Sequence, residues 1–230
     1  MKNRLIHFLG LMTVAALIIA LTAAAQKKTL QPNLSRIAEG KGWKVSGRNI
    51  TALNDGGRNA IQFDEAKGAG MARLEGVEFT NGTIEFDVKG KDLLQKSFVG
   101  VAFRGVDEMT QDVVYFRPFT FKAADADRRL HAVQYVSLPT YDWKKLREEH
   151  PDQYEKSIFP SPDMPAPDPN GWFHARIVVA KPKVSVYVNN AKEPSLVVDE
   201  LSDRKGGWVG FWVGEGSGGM FANLKITPAK

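Results

Sequence analysis

Two carboxylates two residues apart, Glu85 and Asp87 in "GTIEFDVKG", are the first residues of this chain placed to do chemistry. In an extended segment they project from one face with Cα atoms ~6.6 Å apart, at a rise of ~3.3 Å per residue. Glycosidases hold two carboxyls ~5–5.5 Å apart for retention and ~6.5–9.5 Å apart for inversion. Glu85 and Asp87 are therefore the catalytic candidates. The same alternation also reads as the solvated face of a half-buried strand. A second constellation is aromatic. Trp208 and Trp212 stand in "GGWVGFWVGEGSGGMFANLKI", which carries too many glycines for a helix. In a strand both indoles share one face, and Val209, Phe211 and Val213 make the core face. An aromatic ring covers the apolar C–H face of a sugar at little cost in conformational entropy. Large indoles are also usually buried, so these two either hold a ligand or pack beneath a covering segment.

Arg104, Tyr115 and Arg117 lie on strands expected to neighbour one another. A guanidinium fork suits sugar hydroxyls or a carboxylate, and the Gln134 amide both donates and accepts. With the two tryptophans these make the ligand-binding set: Trp212, Trp208, Arg104, Arg117, Tyr115 and Gln134. The competing reading makes the arginines structural partners of Glu85 or Asp87. His131 and His174 are the histidines on expected strands, and no H-x-H or H-E-x-x-H spacing accompanies them. No metal site is expected. The Asp-rich "DADRR" (125–129) offers oxygens to Ca²⁺ without matching a calcium motif, so no cofactor is expected either. The chain has no cysteine, which excludes disulfides, thiolate chemistry and a lipoprotein anchor. Nucleophile-elbow, Walker and dinucleotide patterns are missing as well.

The elements that must position these residues are short strands between turns, the pattern of an all-β sandwich. "AIQFDE" (60–65) and "GMARLE" (70–75) flank a Gly-rich turn. After Asn81-Gly82, Ile84, Phe86 and Val88 alternate with Glu85, Asp87 and Lys89. "SFVGVAFRG" (97–105) turns Val99, Val101 and Phe103 inward and Gly100, Ala102 and Arg104 outward. "DVVYFRPFTF" (112–121) buries Val114 and Phe116, with Tyr115 and Arg117 opposite. The faces of "HAVQYVS" (131–137) do not resolve by alternation. One helix is expected over 142–150, capped by Asp142, stopped by Pro151, and apolar at Trp143 and Leu146. Five prolines in 159–171 make an extended loop. A hairpin over 172–190 turns near Lys181-Pro182. Residues 138–171 thus form an insertion between strands, of a length more often functional than not.

The first 25 residues read as a secretory signal peptide: a basic start, a long apolar run and "AAA" before Gln26. The alternative is an uncleaved membrane anchor. Residues 26–230 suffice for one sandwich domain. Without Lys2 and Arg4 the formal net charge falls from +5 to +3. No basic cluster with interleaved aromatics occurs, so no nucleic-acid partner is expected. The expected location is periplasmic or extracellular, with membrane contact only through the leader.

The C-terminal run "NGWFHARIVVAKPKVSVYVNN" and "GGWVGFWVGEGSGGMFANLKI", with "NGTIEFDVKG" before it, resembles the laminin-G-like branches of the concanavalin A-like lectin/glucanase superfamily. The stretch "HAVQYVSLPTYDWKKLREEHPDQYE" is similar to secreted bacterial proteins near the 3-keto-disaccharide hydrolase-like domains. The resemblance implies two antiparallel sheets in a jelly roll, with a saccharide held on the concave sheet. Family 16 glucanases of the superfamily carry a third acid after E-x-D. Here Lys89 or Gly90 stands in that place, so the resemblance argues against that catalysis. The leading expectation is a saccharide-binding protein. A saccharide hydrolase or lyase is the alternative, and an envelope structural or partner-binding module a third. A first expected outcome concerns the leader. Intact-mass measurement of the exported protein gives a chain starting near Gln26, whereas a mass retaining Met1–Ala25 means an anchor.

Overall fold

The computed structural model describes residues 28–158 and 165–229. The leader expected at 1–25 and part of the proline-rich stretch, 159–164, lie outside them. The described strands are, in chain order, β1 Trp43–Ser46, β2 Ile50–Asp55, β3 Arg58–Phe63, β4 Gly70–Leu74, β5 Gly82–Lys89, β6 Val99–Gly105, β7 Gln111–Phe116, β8 Val133–Leu138, β9 Glu155–Lys156, β10 Trp172–Ala180, β11 Lys183–Val188, β12 Leu196–Asp199, β13 Trp208–Val213 and β14 Gly219–Pro228. The helices are α1 Ser35–Ala38, α2 Ala126–Arg129 and α3 Trp143–Glu149, with a 3-10 turn at Pro118–Thr120. One seven-stranded antiparallel sheet runs β1-β4-β13-β6-β7-β8-β9, and the other runs β12-β11-β10-β5-β14-β3-β2. We call them the groove sheet and the back sheet. This is the all-β, two-sheet antiparallel sandwich that the alternation implied.

Most expected elements fall where the periodicity put them. α3 begins after Asp142, whose Oδ1 accepts from the Lys145 N–H at 2.8 Å. β10 and β11 form the hairpin, with Ala180 opposite Lys183. The Gly-rich turn after residue 65 does more than reverse the chain. It carries it from β3 in the back sheet to β4 in the groove sheet. The short helical turns α1 and α2 carry too few periodic residues to show in the sequence.

Ile84, Phe86 and Val88 of β5 are fully buried between the sheets. Phe86 meets Phe211 edge to face at 6.0 Å, and Phe211 lies 4.5 Å from Phe221. Each such side chain contributes roughly 1.5–3 kcal/mol by leaving water. The two sheets differ outside this shared core. Burial alternates along β5, which is half exposed at Thr83, Glu85, Asp87 and Lys89, and along most of β10. Along β6, β7 and β13 every residue is buried. The outer face of the groove sheet is therefore covered, and "WVGFWV" is apolar on both faces for that reason.

Arg104 departs from its expected outward place. Trp208 pairs with Gly105 and Gly210 with Ala102, so β6 carries one extra residue against β13. The bulge sits at Arg104, whose φ is +51°. It breaks the alternation and turns the side chain inward. Arg104 is 1% exposed, with Nη1 2.7 Å from Glu200 Oε2. Its Nε donates to Thr80 O and its Nη2 to Asn81 Oδ1. The ion pair foreseen for this arginine exists, but with Glu200 and not with Glu85 or Asp87. Removing one partner of a buried pair strands the other charge. Arg104→Ala accordingly lowers stability by about 3–5 kcal/mol in urea unfolding, where a surface arginine would cost little.

Candidate functional site

One row of side chains crosses five strands of the groove sheet. Trp212 pairs with Gly100, Gly100 with Tyr115, Tyr115 with Gln134, and Gln134 with Glu155. Trp212 and Tyr115 are two strands apart, about 9.6 Å at the usual strand spacing. Their ring centroids nevertheless come within 5.3 Å at 42°, because Gly100 between them has no side chain. A Cβ at Gly100 would fall 2.1 Å from Val114 O and 2.9 Å from Tyr115 Cβ. The register also resolves 131–137: Gln134 and Val136 share the outer face with Tyr115 and Val113.

Polar groups at the end of the row are locked together. Gln134 Oε1 accepts from Tyr115 OH at 2.5 Å and from Arg117 Nη2. Arg117 Nη2 also donates to Tyr115 OH at 2.8 Å. Its Nη1 donates to His131 O at 2.7 Å and to Glu155 Oε2 at 3.2 Å. Arg147 grips the same carboxylate with two bonds, Nε to Oε1 at 2.6 Å and Nη2 to Oε2 at 2.9 Å. His131 Nδ1 lies 3.0 Å from Glu155 Oε1. Burial pushes the Glu155 carboxyl up, but the Arg147 hydrogen bonds and the charges of Arg117, Arg147 and His131 outweigh it. Glu155 is held below the usual carboxylate range. Arg147 is raised, chiefly by its bonds to Glu155. Burial raises the Tyr115 phenol and keeps it neutral.

Above this floor lies a cavity of about 650 Å³. Trp212, Tyr115, Arg117 and His131 line it, and the insertion adds Asp142, Trp143 and Arg147. Trp212 Nε1, on the cavity floor, is a buried donor without a partner among the described residues. Gln134 is fully buried and Trp212 is 9% exposed.

Three of the six expected ligand residues line the cavity, Trp212, Tyr115 and Arg117, and Gln134 lies fully buried behind them, bonded to Tyr115 and Arg117. Arg104 is absent from the cavity for the reason given above. Trp208 shares the face of Trp212 but does not line the cavity. Its ring occupies the space over Gly105, where a Cβ would fall 1.9 Å from it, and Arg73 lies 5.7 Å from its centroid. Trp208 is a packing residue, and Trp212 both packs and faces the cavity.

Glu85 and Asp87 lie on the outer face of the back sheet. Two packed sheets, ~10 Å apart, separate them from Trp212. Asp87 takes Nδ1 of His174 at 2.8 Å, Nδ2 of Asn223 at 2.7 Å and Nε of Arg58 at 3.2 Å. Burial pushes its carboxyl up, but the bonds from His174 and Asn223 and the charges of His174 and Arg58 hold it low. Glu85 pairs with Lys225 at 2.8 Å. These carboxylates cannot serve a ligand on the groove sheet.

Glu155, Arg147, His131 and Trp143 did not stand out as site residues. The one signal was Trp143 and Arg147 at i,i+4 on the insertion helix, which places them on one face. Trp143, expected in the apolar stripe, is half exposed at the cavity, while Leu146 is 1% exposed.

No protein-family model and no curated protein sequence matches the chain. Solved structures match in shape. A carbohydrate-binding module of family 66 from Bacillus subtilis aligns at a TM-score of 0.52 and 15% identity, over 80% of this chain and 95% of that one. A Bacillus subtilis protein of unknown function with a galectin-like fold aligns at 0.56 and 11%, over 86% and 94%. The Ca²⁺-bound exoplasmic/lumenal domain of VIP36 aligns at 0.51 and 10%, over 82% and 84%. The fold is thus a concanavalin A-like jelly roll.

Glu155 gives the site a pH dependence. Its depressed folded pKa adds stability that is fully present above the unfolded value of ~4.3 and is lost as pH falls through the lower folded value. Urea unfolding from pH 6 down to about pH 2 shows that loss in the wild type and a smaller one in Glu155→Gln. The variant is already destabilised at pH 6, since Arg117 and Arg147 lose their counter-charge.

Proposed function

We propose that this protein is an exported saccharide-binding protein that holds its ligand in the cavity of the groove sheet. The observation that carries the reading is the cavity floor: the paired rings of Trp212 and Tyr115, with the unpartnered indole N–H of Trp212. The rings suit the apolar face of a sugar. The indole N–H suits its oxygens, and a buried donor left unmade costs about 1–3 kcal/mol. The similar fold of a carbohydrate-binding module supports the same ligand class, and the apolar leader supports export.

Hydrolysis has less support. A glycosidase needs a carboxyl that keeps its proton, with a raised pKa. Glu155, beneath the floor, is held in the opposite direction by two arginines. Asp142 is engaged as the cap of α3, and Glu215 accepts from Gly68 N–H at 2.9 Å.

Calorimetric titration against a panel of glycans tests the reading. At least one saccharide binds, and Trp212→Ala weakens it by roughly 1–3 kcal/mol. The same variant loses some stability, because the ring is nearly buried. Trp212→Phe keeps an aromatic ring and removes the N–H, so it costs about 0.5–1.5 kcal/mol of affinity with a smaller loss of stability. A panel without a single binder, or wild-type affinity in Trp212→Ala, overturns the reading.

A further inference from the structure

Resting on that saccharide reading, we infer that the ligand is amphipathic: a saccharide bearing an apolar aryl or alkyl group. In this arrangement the sugar lies over Trp212 and Tyr115, and the apolar group lies against Leu94 and Trp143. Most of the uncharged lining is hydrocarbon: Leu94, Phe98, Phe119, Val136, Leu138 and Trp143. The nearby charges are largely spent on the protein itself. Arg117 and Arg147 hold Glu155, Asp142 caps α3, and Glu215 takes a backbone N–H. On the floor, Trp212 Nε1 is a buried donor without a partner among the described residues.

A bare oligosaccharide carries hydroxyls on all its edges. Those set against Val136, Leu138 and Leu94 would leave water without replacement bonds, which is unfavourable. An apolar substituent there loses nothing and covers surface that water now meets. Leu94 is 54% exposed and Trp143 50% exposed, and both line the same cavity from separate segments of the chain. The Arg147 guanidinium lies 5.3 Å from the Trp143 ring centroid, which helps to hold that ring in place. The volume of about 650 Å³ suits a small glycoside.

The test uses methyl, phenyl and octyl glycosides of glucose, galactose and mannose, with benzyl alcohol and octanol as sugarless probes. Affinities come from ligand-observed NMR titration of the wild type, Trp143→Ser and Leu94→Ser. Both residues are half exposed, so the variants keep the fold, and thermal unfolding verifies it. For at least one sugar the phenyl or octyl glycoside binds roughly 10–30-fold tighter than the methyl glycoside. That ratio shrinks severalfold in either variant. Equal affinity for methyl and apolar glycosides overturns the inference and leaves the saccharide reading standing. Sugarless probes that bind as well as the glycosides overturn the saccharide reading, and this inference with it. Binding of no probe counts against both. If sedimentation instead shows a wild-type dimer that Trp143→Ser dissociates, the exposed residues cover one another between copies and the inference falls.

Discussion

The buried Glu155 carboxylate is the contact on which the rest of the site depends. It is 4% exposed and carries a full charge, a state that is costly unless strong partners surround it. Arg147 on α3 supplies a two-bond grip from one side, and Arg117 after β7 closes the other. Arg117 then has a fixed guanidinium, which orients Tyr115 and the carbonyl oxygen of Gln134. Tyr115 in turn meets Trp212 across Gly100. The aromatic floor of the cavity is therefore tied to a carboxylate in the insertion, even though its rings stand on central strands.

The described parts of the insertion are accordingly packed into the fold. β9 pairs with β8 and extends the groove sheet by one strand. Leu146 and Ile158 are fully or nearly buried, and Tyr154 packs 6.1 Å from Tyr135. Ser195, just before β12, donates to Ile158 O. Replacing such a segment with a flexible linker would open apolar surface and strand Arg117. The insertion covers the groove sheet at β8, while over β6 the rings of Trp208, Trp212 and Tyr115 close over Gly105 and Gly100.

The back sheet answers the same need in another way. Its outer face keeps the alternation of a strand with one wet side. Its charges neutralise one another locally: Glu85 with Lys225, Asp87 with Arg58, and Asp55 with Lys89 at 2.9 Å. Trp172 lies there too, donating to Asp55 and carrying Arg58 over its ring. Sequence spacing alone made Glu85 and Asp87 look like a reacting pair. Their partners on the back sheet, and the two sheets between them and the cavity floor, keep them apart from that floor.

The sequence by itself determined the fold class and most of the strands. Period-2 alternation over 84–89, 99–103 and 114–117 is enforced by one dry face per strand, a local property. It also placed Tyr115, Arg117 and Trp212 outward, because nothing interrupts the pleat between them and the core. Only the tertiary structure decided the rest. One extra residue at Arg104 reversed its direction, and a bulge shows only against the partner strand. The separation of Glu85 from Trp212 depended on which sheet each strand joined, which no local pattern encodes. Glu155 became central because a two-residue edge strand set it beside Gln134, and such a pairing is too short and too distant along the chain to leave a periodic trace.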